Sequence, residues 1–151
     1  RRMIHIAHEE GMTVMAHGNG DQTVRMAVEA GLDTLEHWNY LEQETLDLLA
    51  KSRTIWIPTL APVGNLLGCG RFPDEQIKQI LKRQMDSVRY AFAKGAWIGL
   101  GSDSGAYQVS HGQGLLEEYQ WMKEAVGEEQ EAALRECLSK AEERIKKEMK
   151  Q

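Results

Sequence analysis

The chain has 151 residues, of which 42% are hydrophobic and 27% are charged, and its net charge is −5. This composition fits a globular domain with its own core, and the negative charge argues against nucleic acid or an anionic membrane surface as a partner. Two cysteines outside any Cys-x-x-Cys pair predict free thiols in a reducing compartment. Because the chain has neither an apolar run of ~20 residues nor a signal-peptide pattern, we expect a cytoplasmic protein that does not enter membranes.

Helical and strand-like patterns alternate along the chain. The helical spacing of apolar residues predicts helices over 2–10, 21–30, 42–52, 74–94, 114–126 and 128–149. Short apolar runs predict four strands over 13–16, 33–36, 54–57 and 96–101. This alternation favours an α/β fold with parallel strands joined by right-handed crossovers.

The predicted sheet is incomplete at its edges. Four parallel strands leave two unpaired edges and an uncovered layer of side chains, so a second copy or a missing N-terminal half should complete the sheet. The first predicted helix opens without an N-cap or an initiator Met, which favours a start inside a larger protein.

Three of the predicted strands end at a side chain that can bind a metal or transfer a proton. Six residues separate Gly11 from His17 and Gly31 from His37, and Asp103 follows the fourth strand. In parallel α/β barrels the carboxyl ends of the strands carry the active site. Alone, each histidine could be a buried residue bonded to backbone, and Asp103 could cap a turn. Their matched positions favour a functional role.

The motifs have a characteristic order. They are Val14-Met-Ala-His17-Gly, Leu35-Glu-His37 and Gly101-Ser-Asp103-Ser-Gly, with His111-Gly112 downstream. In order and separation they resemble strands five, six and eight of the amidohydrolase superfamily, in its imidazolonepropionase-like and dipeptidase-like branch. The resemblance implies that residues 1–151 are the C-terminal half of a TIM-type (β/α)8 barrel. That half would have four parallel strands alternating with helices, then two C-terminal helices.

The resemblance also implies an activity. The family uses metal-activated water to cleave a C–N amide bond in a small molecule such as a cyclic amide, an N-acyl amino acid or a dipeptide. His17 and His37 would be metal ligands, and Asp103 would contact the metal and act as the catalytic base. The expected cofactor is a divalent ion, zinc above all. The residues expected to bind substrate are His111, Trp38, Asn19 and Tyr40.

The chain also departs from the family pattern. It has no counterpart of the strand-one His-x-His pair or of the strand-four lysine or glutamate that bridges two metals. Asn19 stands where close relatives often carry a second histidine, and Trp38 where they often carry glycine. We therefore expect this chain alone to lack the complete site.

Other interpretations remain open. A non-catalytic half-barrel could associate with itself through its exposed edges. A flavodoxin-like binding module is a weaker alternative, because no Gly-rich phosphate loop follows the first strand. His111 could simply begin the next helix, and the long loop over residues 59–73 could be a lid.

Overall fold

The computed structural model describes residues 1–18, 20–37 and 40–148. Its strands are β1 (Met15–His17), β2 (Thr34–Glu36) and β3 (Ile55–Ile57). Its helices are α1 (Arg2–Glu9), α2 (Asp21–Glu29), α3 (Gln43–Lys51), α4 (Ala61–Gly64), α5 (Asp74–Ala93), α6 (Gln113–Val126) and α7 (Glu131–Glu148), with a 3-10 turn at Glu128–Gln130. Among these residues no helix has the length and apolarity needed to cross a membrane.

The three strands form one parallel sheet in the order β1-β2-β3. Leu35, in the middle of β2, is paired with Ala16 on one side and with Trp56 on the other. Each crossover contains a helix, as parallel pairing requires. The predicted α/β class with parallel strands is therefore confirmed for these three strands.

The predicted fourth strand over residues 96–101 is not a full strand in the structure. It makes a single parallel bridge, in which the Trp56 N–H donates to the Trp97 carbonyl and the Gly99 N–H donates to the Trp56 carbonyl, both at 2.8 Å. A Cβ on Gly99 would lie 3.2 Å from the side chains of Ile55 and Ile57. Glycine permits this close approach but weakens a regular strand, so the pairing stays local.

One face of the sheet carries the main hydrophobic core. Helices α2, α3, α5 and α6 pack on this face and contribute half of its buried side chains. The sheet residues in this core are Leu35, Trp56 and Ile98, each no more than 1% exposed. Alternation along the strands then places the residues next to Ala16 and Leu35, including His17 and Glu36, off this core. His37 follows the last residue of β2 and is positioned by its own backbone turn.

The opposite face of the sheet is covered at one side only. Ile55 and Ile57 form a second apolar cluster with Ala141 of α7, and Ile145 packs against it. Ile55 is 1% exposed, whereas Met15 on β1 is 59% exposed. The expected uncovered layer is therefore found at Met15 on β1 but not at β3, because α7 packs against Ile55 and Ile57.

The buried carboxyl group of Glu118 connects α6 to the loop that follows β3. Glu118 is 0% exposed and accepts a hydrogen bond of 2.7 Å from the Ala61 N–H, at the start of α4. Burial raises the pKa of Glu118 from 4.5 to about 7, although the backbone N–H groups of Leu60 and Ala61 oppose the shift. Glu118 thereby fixes the loop that follows β3 against α6.

Replacing Glu118 with Gln should make stability less dependent on pH. The raised folded-state pKa means that the protonated carboxyl favours the fold at low pH, and that this contribution is lost as pH rises from 4.5 to about 7. At 1.36 kcal/mol per pKa unit the loss is about 3 kcal/mol. Urea unfolding of both proteins between pH 4 and 8 would measure it. Parallel stability curves for the two proteins would contradict this account.

Candidate functional site

Three side chains at the carboxyl ends of the strands have an unusual backbone conformation. His37, Thr59 and Asp103 have φ values of 72°, 51° and 55°, and the only other described non-glycine residue with positive φ is Gln108. This conformation is uncommon for residues with a Cβ and costs of order 1–3 kcal/mol each, so packing must hold it in place. Such strain is concentrated at functional sites, which marks this edge of the sheet as the candidate site.

The backbone of His37 is fixed on both sides. Its N–H donates to the Ile57 carbonyl at 2.9 Å, and its own carbonyl accepts the indole N–H of Trp56 at 2.6 Å. Because Trp56 is itself buried in the main core, its indole leaves little freedom to the left-handed turn at His37. No pattern in the sequence indicates this role of Trp56, which has the appearance of an ordinary strand residue.

The Thr59 hydroxyl determines which nitrogen of His37 carries a proton. That hydroxyl donates to the Pro58 carbonyl at 2.8 Å and lies 2.6 Å from Nδ1 of His37. Since a hydroxyl has one proton to donate, Nδ1 must be the donor in the second hydrogen bond. His37 is therefore the Nδ1–H tautomer, and its Nε2 lone pair is left for a ligand.

His17 and His37 are in direct contact. Their ring centroids are 4.6 Å apart and their planes cross at 75° in an edge arrangement. His17 ends β1 and is exposed, whereas His37 is half-buried. Burial lowers the pKa of His37, the nearby Asp103 carboxylate opposes this shift, and the charge of His17 adds to it. The net effect favours neutral imidazole at His37, the form that binds metals.

Glu36 also belongs to this cluster, although it is not among the site residues predicted from the sequence. Its Oε1 is buried and has no hydrogen-bond partner among the described residues. Burial raises the pKa of Glu36, the adjacent Thr34 side chain opposes this shift, and the negative charge of Asp103 adds to it. Alternation could have revealed it, because a period of two puts Glu36 on the face opposite Leu35. A polar residue there, next to a ligand-type histidine, is a sequence signal for a site.

The other predicted site residues are placed less closely together. Asp103 is exposed, and its charge acts on both His37 and Glu36. Tyr40 is 55% exposed, and His111 lies in the turn before α6; neither contacts His17 or His37 in the described structure. Asn19 and Trp38 lie outside the described residues.

The donor atoms of this cluster are of the kind that binds a divalent metal. Their arrangement in the described residues does not form a complete metal site. Two imidazoles and two carboxylates are donors that zinc accepts, and the unpartnered Oε1 of Glu36 is an oxygen that a cation would satisfy. Over residues 1–18, 20–37 and 40–148, however, no three His, Cys, Asp or Glu side chains are arranged to hold one ion. The described residues thus bring together two histidines, and a third ligand is not in place.

Comparisons with known proteins add an independent result. No protein-family profile matches the chain. An uncharacterized protein of Mycobacterium tuberculosis is 28% identical over 116 residues, which are 73% of this chain and 31% of that protein. Imidazolonepropionase of Saccharopolyspora erythraea is 38% identical over 77 residues, which are 49% of this chain and 19% of that protein.

A solved structure extends the similarity to the fold. A Xaa-Pro dipeptidase with methionine bound in its active site is superposable with a TM-score of 0.67 and 26% identity, over 81% of this chain and 31% of that one. The chain matches part of an amidohydrolase. The predicted family resemblance is therefore confirmed. The chain spans about a third of the length of the dipeptidase and of the mycobacterial relative.

Replacing Thr59 with Val should weaken the preference of His37 for the Nδ1–H tautomer. The variant loses the acceptor for Nδ1–H, and a hydrogen bond worth about 1 kcal/mol corresponds to a roughly fivefold change in the tautomer ratio. Side-chain 15N chemical shifts of His37 would measure this ratio. Thr59→Ser keeps the hydroxyl and is expected to behave as the unmodified chain. A wild-type His37 protonated mainly on Nε2 would contradict the assignment.

Proposed function

We propose that residues 1–151 are the part of a metal-dependent amidohydrolase that corresponds to strands five to eight of the family barrel. The parent enzyme would hydrolyse a C–N amide bond in a cyclic amide, an N-acyl amino acid or a dipeptide. The observation that carries this proposal is the contact between His17 and His37 at the ends of adjacent parallel strands, 4.6 Å apart. Parallel barrels place their chemistry at this end of the strands.

The side chains of the cluster would have different roles. His17 and His37 would hold a divalent ion, zinc above all, with Asp103 as a further ligand. Bound there, the ion would polarise the substrate carbonyl and lower the pKa of a water molecule. Thr59 would keep the Nε2 lone pair of His37 available by accepting a hydrogen bond from Nδ1–H.

Asp103 would move the proton in the reaction. Its carboxylate would take a proton from the attacking water and pass it to the leaving nitrogen. An electrostatic effect of its charge on the pKa values of His37 and Glu36 supports this role. The methionine in the similar dipeptidase structure supports a substrate derived from amino acids. His111, Tyr40, Asn19 and Trp38 remain proposed substrate contacts.

Zinc binding tests the proposed ligands directly. Titration of the purified chain with zinc against a chromophoric chelator is expected to show binding that weakens at least about tenfold in His17→Ala and in His37→Ala. His5→Ala is the matched control, since His5 lies on α1 and pairs with Glu9 instead. Unchanged affinity in His37→Ala, or an equal loss in His5→Ala, would refute the metal site.

A second candidate function is self-association without catalysis. It is favoured by exposed apolar side chains on α1, on β1 and in the turn between them, which are the outermost elements at the free edge of the sheet. These side chains are Met3, Ile6, Met12 and Met15. Contiguous apolar surface beside an unpaired strand favours association with another chain. A second copy, or another part of the proposed parent enzyme, would cover this edge.

Native mass spectrometry tests whether a second copy of this chain covers the free edge of the sheet. If a second copy covers the edge, the chain is expected to be a dimer whose dissociation constant rises at least about tenfold in Met15→Glu, because a buried charge at the interface is costly. Met26→Glu is a suitable control, since Met26 is similarly exposed but lies on α2. A strictly monomeric chain at micromolar concentration would exclude self-association.

A further inference from the structure

Positive charge is scarce where the strands end. The loops that follow β1, β2, β3 and the bridge segment carry the candidate site; they are residues 18–20, 37–42, 58–73 and 102–112. Their sequences contain one lysine or arginine in total, Arg71. The site itself carries two carboxylates, Glu36 and Asp103. An anionic substrate would therefore meet one cationic side chain in these loops.

Arg71 is held by aromatic rings and not by an acid. Its guanidinium carbon lies 4.9 Å from the ring centre of Tyr107 and 5.3 Å from that of Phe72. The guanidinium forms no ion pair or hydrogen bond within the described part of the chain. Contact with aromatic faces orients the planar group without using its N–H donors. Arg71 thus offers a free, pre-oriented fork of donors.

The loop that carries Arg71 is connected at two points to the site and to the loop that begins at Asp103. Near its start, Thr59 bonds His37 at 2.6 Å. Further along, the side-chain amide of Asn65 donates to the Gln108 carbonyl at 2.9 Å. These bonds fix the loop over residues 58–73 relative to the loop that begins at Asp103. Because Arg71 also contacts the Tyr107 ring, its position is defined relative to the loop that begins at Asp103.

Tyr107 connects Arg71 to the proposed catalytic base. It lies four residues after Asp103, in a tight turn where the Ala106 N–H donates to the Asp103 carbonyl at 3.0 Å. The same short turn thus positions both the aromatic contact of Arg71 and the carboxylate of Asp103. A substrate whose scissile amide lies at Asp103 could extend along this turn toward Arg71.

We infer that Arg71 binds the free carboxylate of the substrate, which selects N-acyl amino acids or dipeptides over neutral cyclic amides. This inference rests on the proposed hydrolase function and specifies its substrate class. Arginine and carboxylate form two parallel N–H···O hydrogen bonds, which fix orientation as well as adding affinity. With one end of the substrate held at Arg71, the amide bond would be oriented relative to the two histidines.

Two probes that differ only in charge test this assignment. The chain, labelled with 15N, would be titrated with N-acetylglycine and with the neutral N-acetylglycinamide while the arginine Nε–H resonances are followed. N-acetylglycine is expected to shift the Arg71 resonance, and the amide is not. In Arg71→Met the affinity for N-acetylglycine should fall at least about tenfold, and in Arg71→Lys it should fall less, because charge remains but the fork is lost.

The control variant is Arg83→Met. Arg83 is also exposed and has no ion pair within the described residues, but it lies on α5. N-acetylglycine binding should be unchanged in this variant. Equal binding of the two probes, no binding to the wild-type chain, or full binding to Arg71→Met would each overturn the inference. Tighter binding of inorganic phosphate than of N-acetylglycine would also overturn it, since phosphate would then be the preferred anion.

The zinc titration separates this inference from the proposed function. Arg71-dependent binding of N-acetylglycine can be measured without metal, and zinc binding through His17 and His37 can be measured without N-acetylglycine. Loss of zinc binding with retained carboxylate binding would overturn the hydrolase proposal and leave an anion site. Zinc binding without carboxylate binding would leave the hydrolase and overturn the role of Arg71.

Discussion

The hydrogen bond from the Trp56 indole to the His37 carbonyl, at 2.6 Å, connects the hydrophobic core to the candidate site. Trp56 is 1% exposed and is in the main core, and its backbone also forms both hydrogen bonds of the bridge to residues 97 and 99. One residue thus secures three features: the core, the last strand pairing and the left-handed turn at His37. Truncating a buried tryptophan costs about 3–5 kcal/mol in a typical core, so the site depends on the packing beneath it.

The candidate site combines strained backbone with a buried carboxyl group that lacks a hydrogen-bond partner on one oxygen among the described residues. Left-handed backbone at His37, Thr59 and Asp103 stores energy that the surrounding packing must offset. Within the described part of the chain, Glu36 adds a buried carboxyl oxygen without a hydrogen-bond partner. In a purely structural element, the left-handed backbone and the unpartnered carboxyl oxygen would lower stability without a compensating function. They are understandable if a cation completes the cluster, because it would satisfy Glu36 and use the oriented imidazoles.

The two sides of the sheet explain why the chain resembles part of a longer protein. On the β3 side, α7 buries Ile55 and Ile57, and the fold is closed. On the β1 side, Met15 and its apolar neighbours remain exposed beside an unpaired edge. The similar dipeptidase is about three times as long as the matched region, so it contains chain that could cover such an edge.

The sequence by itself determined the local features. Glycines after helical patterns, short apolar runs and ligand-type residues at their ends were enough to predict three parallel strands, their helices and the family, because these signals have short periods. The fourth strand was overpredicted, since the effect of Gly99 depends on how closely Ile55 and Ile57 approach it. Only the tertiary structure decided that His17 meets His37, that Thr59 fixes a tautomer, that Glu36 lacks a partner and that α7 covers one side of the sheet. Each of these depends on contacts between residues distant in sequence or on burial, which no local pattern encodes.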